Sequence, residues 1–401
     1  MRVLFLTHRL PYAPNRGDRV RAFHLLRTLR TFADVDLVSL VHDDDEAAHL
    51  DETRQLAETV TGVRVSRGRA LIRSALALPT SRPLSHTMLD AAGLQSAIDQ
   101  RVTAHRPDVV FAFCTGIAHA VVRPPLGALP LVLDMVDVDS AKWAALAASS
   151  AAPRSWIYAR EARVLARFEI EITRRAFATI LTTEKERETL HALVPQARID
   201  VLQNGVDAAS LRPPGPPAPS TTVVFCGVMN YPPNEEGAVW LARDIWPLVR
   251  RARPDARLSI VGSKPTRRVQ ELDNASQGIV VTGHVDDVRP HLWQAAVAAA
   301  PLLTARGVQN KVLEAVAAGL PTVVTSVVLG GVPAEITPGC VAAEGAPAFA
   351  DALVKLLATS PEARRRVAAR ADLDSMTWER RFAALREIVT SAARTGGGTS
   401  G

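Results

Sequence analysis

Residues 306–321 read RGVQNKVLEAVAAGLP, and the β-branched run TVVT follows at 322–325. This pattern predicts a glycine turn, a short helix over 309–318 and then a strand. Gly319 suits the left-handed residue that ends a helix, and Pro321 cannot continue one. The stretch is therefore a helix–strand unit, which is the building block of parallel α/β sheets.

Three polar side chains lie near one face at the amino end of the predicted helix. Asn310 and Glu314 are i,i+4 neighbours, and Lys311 and Glu314 are i,i+3 neighbours. Lys and free helix N–H groups can bind phosphate, while a carboxylate accepts hydroxyl donors, so the group could bind a phosphorylated sugar. The alternative is a solvated ion pair on a helix surface.

The composition limits the class of protein. The 401 residues indicate two domains. Three cysteines without metal-type spacing predict a reducing, cytoplasmic location. The net charge of +6 fits phosphorylated ligands or an anionic membrane surface. Nucleic acid is not expected as a partner, because the arginines are scattered and only 5% of residues are aromatic. No run reaches the roughly 20 apolar residues that span a bilayer.

Both halves of the chain alternate strand-like and helix-like segments. The predicted strands are 3–7, 35–40, 108–113, 131–134, 179–182, 223–227, 258–262, 279–282, 298–302, 322–325 and 340–342. The predicted helices are 19–31, 91–104, 155–176, 184–193, 235–251, 288–294, 309–318, 347–358, 361–371 and 378–392. Such alternation predicts parallel sheets covered on both faces, with ligands at the carboxyl ends of the strands.

Five prolines within 213–219 predict a stiff linker between two α/β domains. Two sheets joined in this way are expected to leave a cleft between the domains. The expected divisions are a first domain at 1–207, a linker at 208–220, a second domain at 221–375, a last helix at 376–394 and a flexible tail at 395–401.

Glycine turns follow three predicted strands of the second half. They contain Gly227, then Gly262 with Lys264, and then Gly283 with His284. Such turns place backbone donors at a strand-end ligand site.

The loop after the first predicted strand contains Asn15, Arg16, Gly17 and Asp18, directly before a helix. Gly17 would allow close approach of a ligand. Asp18 could either contribute to a site or only cap the helix. The pattern G-x-G-x-x-G is absent, which argues against a dinucleotide cofactor.

Three carboxylates, Asp134, Asp137 and Asp139, lie where another predicted strand ends. They could bind a metal, cap a helix or form a polar lip facing the cleft, and we favour the lip. His119 also follows a strand end, where it could point inward or be structural.

These residues together resemble the GT-B glycosyltransferases of family 4. The resemblance rests on the loop 15–18, the Asn-Gly-Val-Asp turn at 204–207 and the K-x-x-E-A-x-A-x-G-x-P element at 311–321. Segments 9–14, 134–143 and 227–231 resemble a narrower branch, the sugar transferases of exopolysaccharide and exosortase (PEP-CTERM) systems.

The resemblance implies a GT-B architecture, with two Rossmann-like doubly wound domains facing across a cleft. It implies retaining transfer from a nucleoside-diphosphate sugar, such as a UDP- or GDP-sugar, with no cofactor and no required metal. The second domain would hold this donor. The first would hold a sugar, lipid-linked or small-molecule acceptor, and the last helix would cross back to it.

The resemblance also assigns roles. Glu314 would bind ribose or donor-sugar hydroxyls, and Lys311 would lie near the diphosphate. The family's usual acceptor-side histidine has no clear match, and Asp137 or His119 occupies that region. We take Glu314, Lys311 and Asp137 as the candidate catalytic residues. The expected donor-binding residues are Arg306, Gly307, Asn310, Gly227, Gly262, Lys264, Gly283 and His284. The expected acceptor-side residues are Asn15, Arg16, Gly17, Asp18 and His119.

Two positions depart from the family pattern. Arg306 stands where the first glutamate of the family's pair is expected, and Val228 stands where a basic diphosphate ligand is usual. Arg306 could take over phosphate binding. The two departures raise the alternative of a catalytically degenerate sugar-nucleotide-binding protein. A nucleotide-sugar 2-epimerase, another class of GT-B enzyme, is a second alternative.

One long predicted helix is rich in arginine and raises the alternative of peripheral contact with the inner face of the cell membrane. A solvated helix face is the other interpretation. The arginines concerned are Arg160, Arg163, Arg167, Arg174 and Arg175.

Overall fold

The computed structural model describes residues 1–12, 17–305 and 308–397. The chain falls into two compact units. The first comprises Met1–Gln203 together with the segment from Phe382 onward, and the second is Asn204–Arg381. Each unit is built on one parallel sheet flanked by helices, which confirms the predicted pair of Rossmann-like α/β domains.

The first unit contains a seven-stranded sheet in the order β3-β2-β1-β4-β5-β6-β7, in which every pairing is parallel. Its strands are β1 Arg2–Thr7, β2 Asp34–Val41, β3 Thr59–Arg64, β4 Val109–Phe113, β5 Leu131–Val136, β6 Ala178–Leu181 and β7 Ile199–Val201. The helices are α1 Gly17–Arg30, α2 Asp44–Ala48, α3 Leu50–Arg54, α4 Arg67–Ala77, α5 Leu84–Leu89, α6 Leu94–Ala104, α7 Thr115–Ala118, α8 Asp139–Ser149, α9 Arg154–Arg175 and α10 Glu184–Leu193. Buried central strands fit a sheet covered on both faces.

The second unit contains a six-stranded parallel sheet in the order β10-β9-β8-β11-β12-β13. Its strands are β8 Thr222–Cys226, β9 Arg257–Val261, β10 Ile279–Gly283, β11 Val297–Ala300, β12 Thr322–Val324 and β13 Cys340–Ala342. The helices are α11 Ala208–Leu211, α12 Pro232–Trp240, α13 Trp246–Ala252, α14 Arg267–Gln270, α15 Arg289–Gln294, α16 Asn310–Ala317, α17 Ser326–Leu329, α18 Gly345–Leu357, α19 Pro361–Ala368 and α20 Trp378–Arg381. A π-helical turn, Leu241–Ile245, joins α12 to α13.

Helix α16 forms where the sequence predicts it. Val312, Leu313 and Val316 are buried in the core of the second unit, which leaves the polar residues of its first turns on another side. Gly319 follows with a φ of +79°, the left-handed conformation that ends a helix.

The last predicted helix is two helices. After α20, helix α21 covers Leu385–Gly397 and packs on β4 and β5 of the first unit. Leu385, Ile388, Val389 and Ala392 are buried at the i, i+3, i+4, i+7 spacing of one helix face. Helix α21 thus extends into the stretch that was expected to be a tail, and residues 398–401 lie outside the described part.

Candidate functional site

Lys311 is fixed in place by residues distant in sequence. Its Nζ donates to Oδ1 of the buried Asn234 and lies 5.3 Å from the centre of the Phe225 ring. Asn234 in turn donates from Nδ2 to the carbonyl of Val228 at 3.0 Å. No pattern in the sequence marks Asn234 beyond its position at the start of a helix that opens with two prolines.

Glu314 is half-buried on the same helix. Desolvation raises the pKa of its carboxyl to about 7, although Lys311 opposes the change. Desolvation likewise lowers the pKa of Lys311 to about 8, against the influence of Cys226 and Glu314. Among the described residues, none donates a hydrogen bond to the Glu314 carboxylate, and none forms a salt bridge with it. The pair is therefore not the solvated surface ion pair of the alternative interpretation.

The three predicted glycine turns lie at the carboxyl ends of adjacent strands, β8, β9 and β10. Gly227 donates from its N–H to Val261 O at 3.0 Å, and Gly262 donates to Gly283 O at 3.2 Å. Gly262 has a φ of +144°, and a Cβ there would lie 1.8 Å from Gly227 O. The backbones approach each other so closely that only glycine fits at this position.

Other expected donor-side residues occupy different positions. Asn310 accepts at Oδ1 from Asn204 Nδ2 at 3.0 Å, which ties the start of α16 to the Asn-Gly turn. Lys264, with a φ of +55°, is exposed, and so is His284, whose Nε2 is 3.5 Å from Asp286 Oδ1. Arg306 and Gly307 lie outside the described residues.

The prediction that Asp134 belongs to a polar lip in the first unit is wrong. This residue is fully buried and accepts two hydrogen bonds at Oδ2 from Arg21, at 3.0 Å from Nε and 2.7 Å from Nη2. Burial raises the pKa of Asp134, while Arg21 opposes that change. The pair ties β5 to α1, because a buried carboxylate needs a charged partner.

Asp137 and Asp139 flank the side chain of Lys142. Lys142 Nζ lies 2.9 Å from Asp137 Oδ2 and 3.2 Å from Asp139 Oδ1, and Thr182 donates to Asp137 at 3.1 Å. Val136, directly before Asp137, has a φ of +70°, which a β-branched residue rarely adopts. Such strain is often found at functional sites.

His119 ends helix α7 and packs against a second histidine. Its Nδ1 lies 2.8 Å from Gly116 O, and its ring stacks on His86 with centroids 5.7 Å apart. Burial lowers the pKa of His119, and it lowers the pKa of His86 to about 3.

The remaining acceptor-side residues belong to the loop before α1. Asn15 and Arg16 lie outside the described residues. Gly17 and Asp18 are the first two residues of α1, and the side chain of Asp18 lies outside the described part of the structure.

Residues 220–359 match the family model for glycosyl transferases group 1. The matched range lies within the second unit and contains Lys311 and Glu314. Among proteins with a curated description, no relative matches the chain significantly.

Solved structures share the fold over nearly the whole chain. Sucrose-phosphate synthase from Thermosynechococcus elongatus matches with a TM-score of 0.74 at 16% identity, over 98% of this chain and 100% of that one. HepE from Anabaena, in complex with UDP and glucose, matches with a TM-score of 0.65 at 14% identity and the same coverage. Trehalose 6-phosphate synthase from Burkholderia multivorans gives 0.68 at 11%, over 98% and 99%. These similarities establish the GT-B fold.

Proposed function

We propose that the protein is a retaining, metal-independent glycosyltransferase of the family 4 type, which moves a sugar from a nucleoside-diphosphate sugar to an acceptor. The observation that carries the proposal is the Lys311–Glu314 pair, desolvated at the strand-end edge of the second sheet. The group 1 glycosyltransferase match contains both residues.

Lys311 supplies the positive charge that the departing diphosphate requires. Asn234 and the Phe225 ring hold its ammonium in one place, so little reorganisation is needed when charge develops on the leaving group. The amino end of α16 adds backbone N–H groups of the same polarity. Arg306 would contribute a second cation in place of the family's first glutamate.

Glu314 accepts hydrogen bonds from hydroxyl groups of the nucleotide sugar. Its carboxylate has no internal donor within the described residues, and a hydroxyl hydrogen bond would offset the desolvation that raises its pKa. Backbone groups at Gly227, Gly262 and Gly283 line the same end of the sheet. The donor is a UDP- or GDP-sugar, and the HepE structures with UDP and with UDP-glucose support UDP.

We further propose that the reaction belongs to exopolysaccharide or other glycoconjugate biosynthesis in the cytoplasm, with a sugar, lipid-linked or small-molecule acceptor on the first unit near Asp137 and His119. The resemblance of three segments to exopolysaccharide-associated transferases supports this role. The three cysteines are free, which fits a reducing compartment.

Sugar transfer by Glu314→Ala and Lys311→Ala variants tests the proposal, with UDP- and GDP-sugars as donors. Each substitution should reduce turnover at least about 100-fold, equivalent to about 2.7 kcal/mol, without loss of folding. Lys355→Ala, which removes an exposed lysine of α18, is the matched control. Unchanged turnover in both site variants would refute the proposal. An epimerised sugar formed from donor alone would indicate the epimerase, and nucleotide binding without turnover would indicate the degenerate binder.

A further inference from the structure

The polarity of helix α4 is inverted relative to an ordinary surface helix. Its small residues Ala70 and Ala77 are buried, whereas Leu71, Ile72 and Leu76 are 62%, 64% and 70% exposed. In a surface helix of a globular domain the large apolar residues face the core. Aliphatic side chains exposed together to this degree mark a surface that another body covers.

The beginning of helix α9 continues this apolar surface. Arg160 donates from Nη2 to Ala77 O at 2.9 Å and to Arg82 O at 2.8 Å, which fastens α9 to the carboxyl end of α4. Trp156, one turn before Arg160, is 72% exposed, and Leu78 at the end of α4 is also exposed. We define the α4 surface as Leu71, Ile72, Leu76, Leu78 and Trp156.

The chain around the α4 surface is basic. Residues 66–89 contain four arginines and no Asp or Glu, and of these Arg73 faces Asp90 at 3.8 Å. Arg82 and Arg154 are exposed and make no ion pair with any described residue. An apolar surface with unpaired arginines at its margin complements a layer that is apolar inside and negatively charged at its surface.

We propose that the α4 surface docks on an anionic lipid bilayer. The four aliphatic side chains enter the boundary between headgroups and acyl chains, Trp156 lies at headgroup level, and Arg82 and Arg154 meet lipid phosphates. This assignment differs from the arginine-rich face of α9 that the sequence suggested. On that face of α9, the guanidinium groups of Arg160 and Arg175 donate hydrogen bonds to backbone carbonyls of the first unit. The inference is independent of the sugar chemistry.

Co-sedimentation with phosphatidylcholine vesicles, with and without phosphatidylglycerol, tests this docking. The wild-type protein should bind the anionic vesicles, and binding should weaken with salt. The triple variant Leu71→Ser/Ile72→Ser/Leu76→Ser should lose at least about tenfold in partitioning, or about 1.4 kcal/mol. Val280→Ser, which replaces a 52% exposed apolar residue of the second unit, is the control and should bind as the wild type does.

Tryptophan fluorescence locates the contact. The emission should move to shorter wavelength on addition of anionic vesicles, and Trp156→Phe should abolish the shift. Equal vesicle binding by the triple variant and the wild type would overturn the proposal. So would a concentration-dependent dimer that the triple variant loses, without vesicle binding, because the surface would then belong to a second copy. Circular dichroism confirms that each variant is folded.

Discussion

At the scale of single residues, burial disfavours the charged forms of Lys311 and Glu314. Keeping either side chain charged therefore lowers the free energy of unfolding. The pKa of Glu314 is about 7 in the folded state, against its ordinary value of 4.5. Its contribution therefore makes the fold less stable as pH rises from 4.5 to 7. The pKa of Lys311 is about 8 against 10.5, so its penalty is relieved as pH rises from 8 to 10.5. Residues kept at such a cost indicate binding or catalysis.

The affinity for a nucleoside-diphosphate sugar should be highest between about pH 7 and pH 8. Below that window Glu314 is protonated and accepts hydrogen bonds from hydroxyl groups poorly. Above it Lys311 loses its charge. Calorimetric titration across this range measures the profile. Glu314→Gln should flatten the acidic limb, and Lys311→Arg should flatten the alkaline limb, because arginine remains charged. An identical profile in both variants would show that other groups titrate.

Replacing Asn234 should weaken donor binding through Lys311. Asn234→Ala removes the acceptor that positions the ammonium and leaves the Val228 carbonyl without its side-chain donor. We expect a loss of about 1–3 kcal/mol in the free energy of unfolding and roughly tenfold in donor affinity. Thermal unfolding and donor titration measure these effects. Asn230→Ala, at an exposed residue nearby, is the control, and equal behaviour of the two variants would remove Asn234 from the site.

The sequence predicts the local part of this site and not the rest. Lys311 and Glu314 are three residues apart, so helical geometry alone brings them together. Asn234 lies 77 residues from Lys311. Its contact depends on how α12 and α16 pack against the same sheet, which no pattern in the sequence reports.

At the scale of elements, two glycine turns should differ in their tolerance of alanine. Gly262→Ala places a Cβ 1.8 Å from a carbonyl oxygen, so the backbone must shift, whereas a Cβ at Gly283 meets nothing within 4 Å. Gly283→Ala should cost only the strain of its φ of +70°, about 1–2 kcal/mol. Gly262→Ala should lose more than about 3 kcal/mol. Denaturant unfolding compares the two, and equal losses would show that the turn at Gly262 relaxes freely.

Three of the elements that the sequence did not predict have few large apolar side chains facing the core. Strands β3 and β7 lie at the two edges of the first sheet, where most side chains are partly exposed and few apolar residues are needed. Helix α4 was missed because its large apolar residues face outward, so it has no inward-facing stripe of large side chains. The six strands of the second sheet were all predicted, because their apolar runs are bounded by glycine, proline or polar turns.

At the scale of the whole molecule, removal of the C-terminal segment should destabilise the first unit. Truncation before Phe382 removes α21 and its buried residues Leu385, Ile388 and Val389. At about 1.5–3 kcal/mol for each side chain, the loss approaches the whole stability of a domain. Hydrogen exchange should rise in β4 and β5 and stay unchanged in β8 and β11. Truncation after Gly397 is the control, and slow exchange in β4 after the longer truncation would contradict the expectation.

The strand–helix alternation of both halves is visible in the sequence, whereas the contact that closes the second unit is not. This unit begins at Asn204, so the prolines at 213–219 lie within it. Val206 donates from its N–H to Met376 O at 2.8 Å, so the beginning and the end of this unit are fastened together. Local composition cannot predict a hydrogen bond between residues so distant in sequence.

The first unit is assembled from two separate pieces of chain, and this has a consequence for biosynthesis. A ribosome completes Asn204–Arg381 before it has made α21, which the first unit needs to cover β4 and β5. The later-encoded unit can therefore finish folding while the earlier one still waits for its closing piece. During that interval an apolar face of the nascent chain is open to chaperones, and the interval ends once the segment that covers this face has left the ribosome.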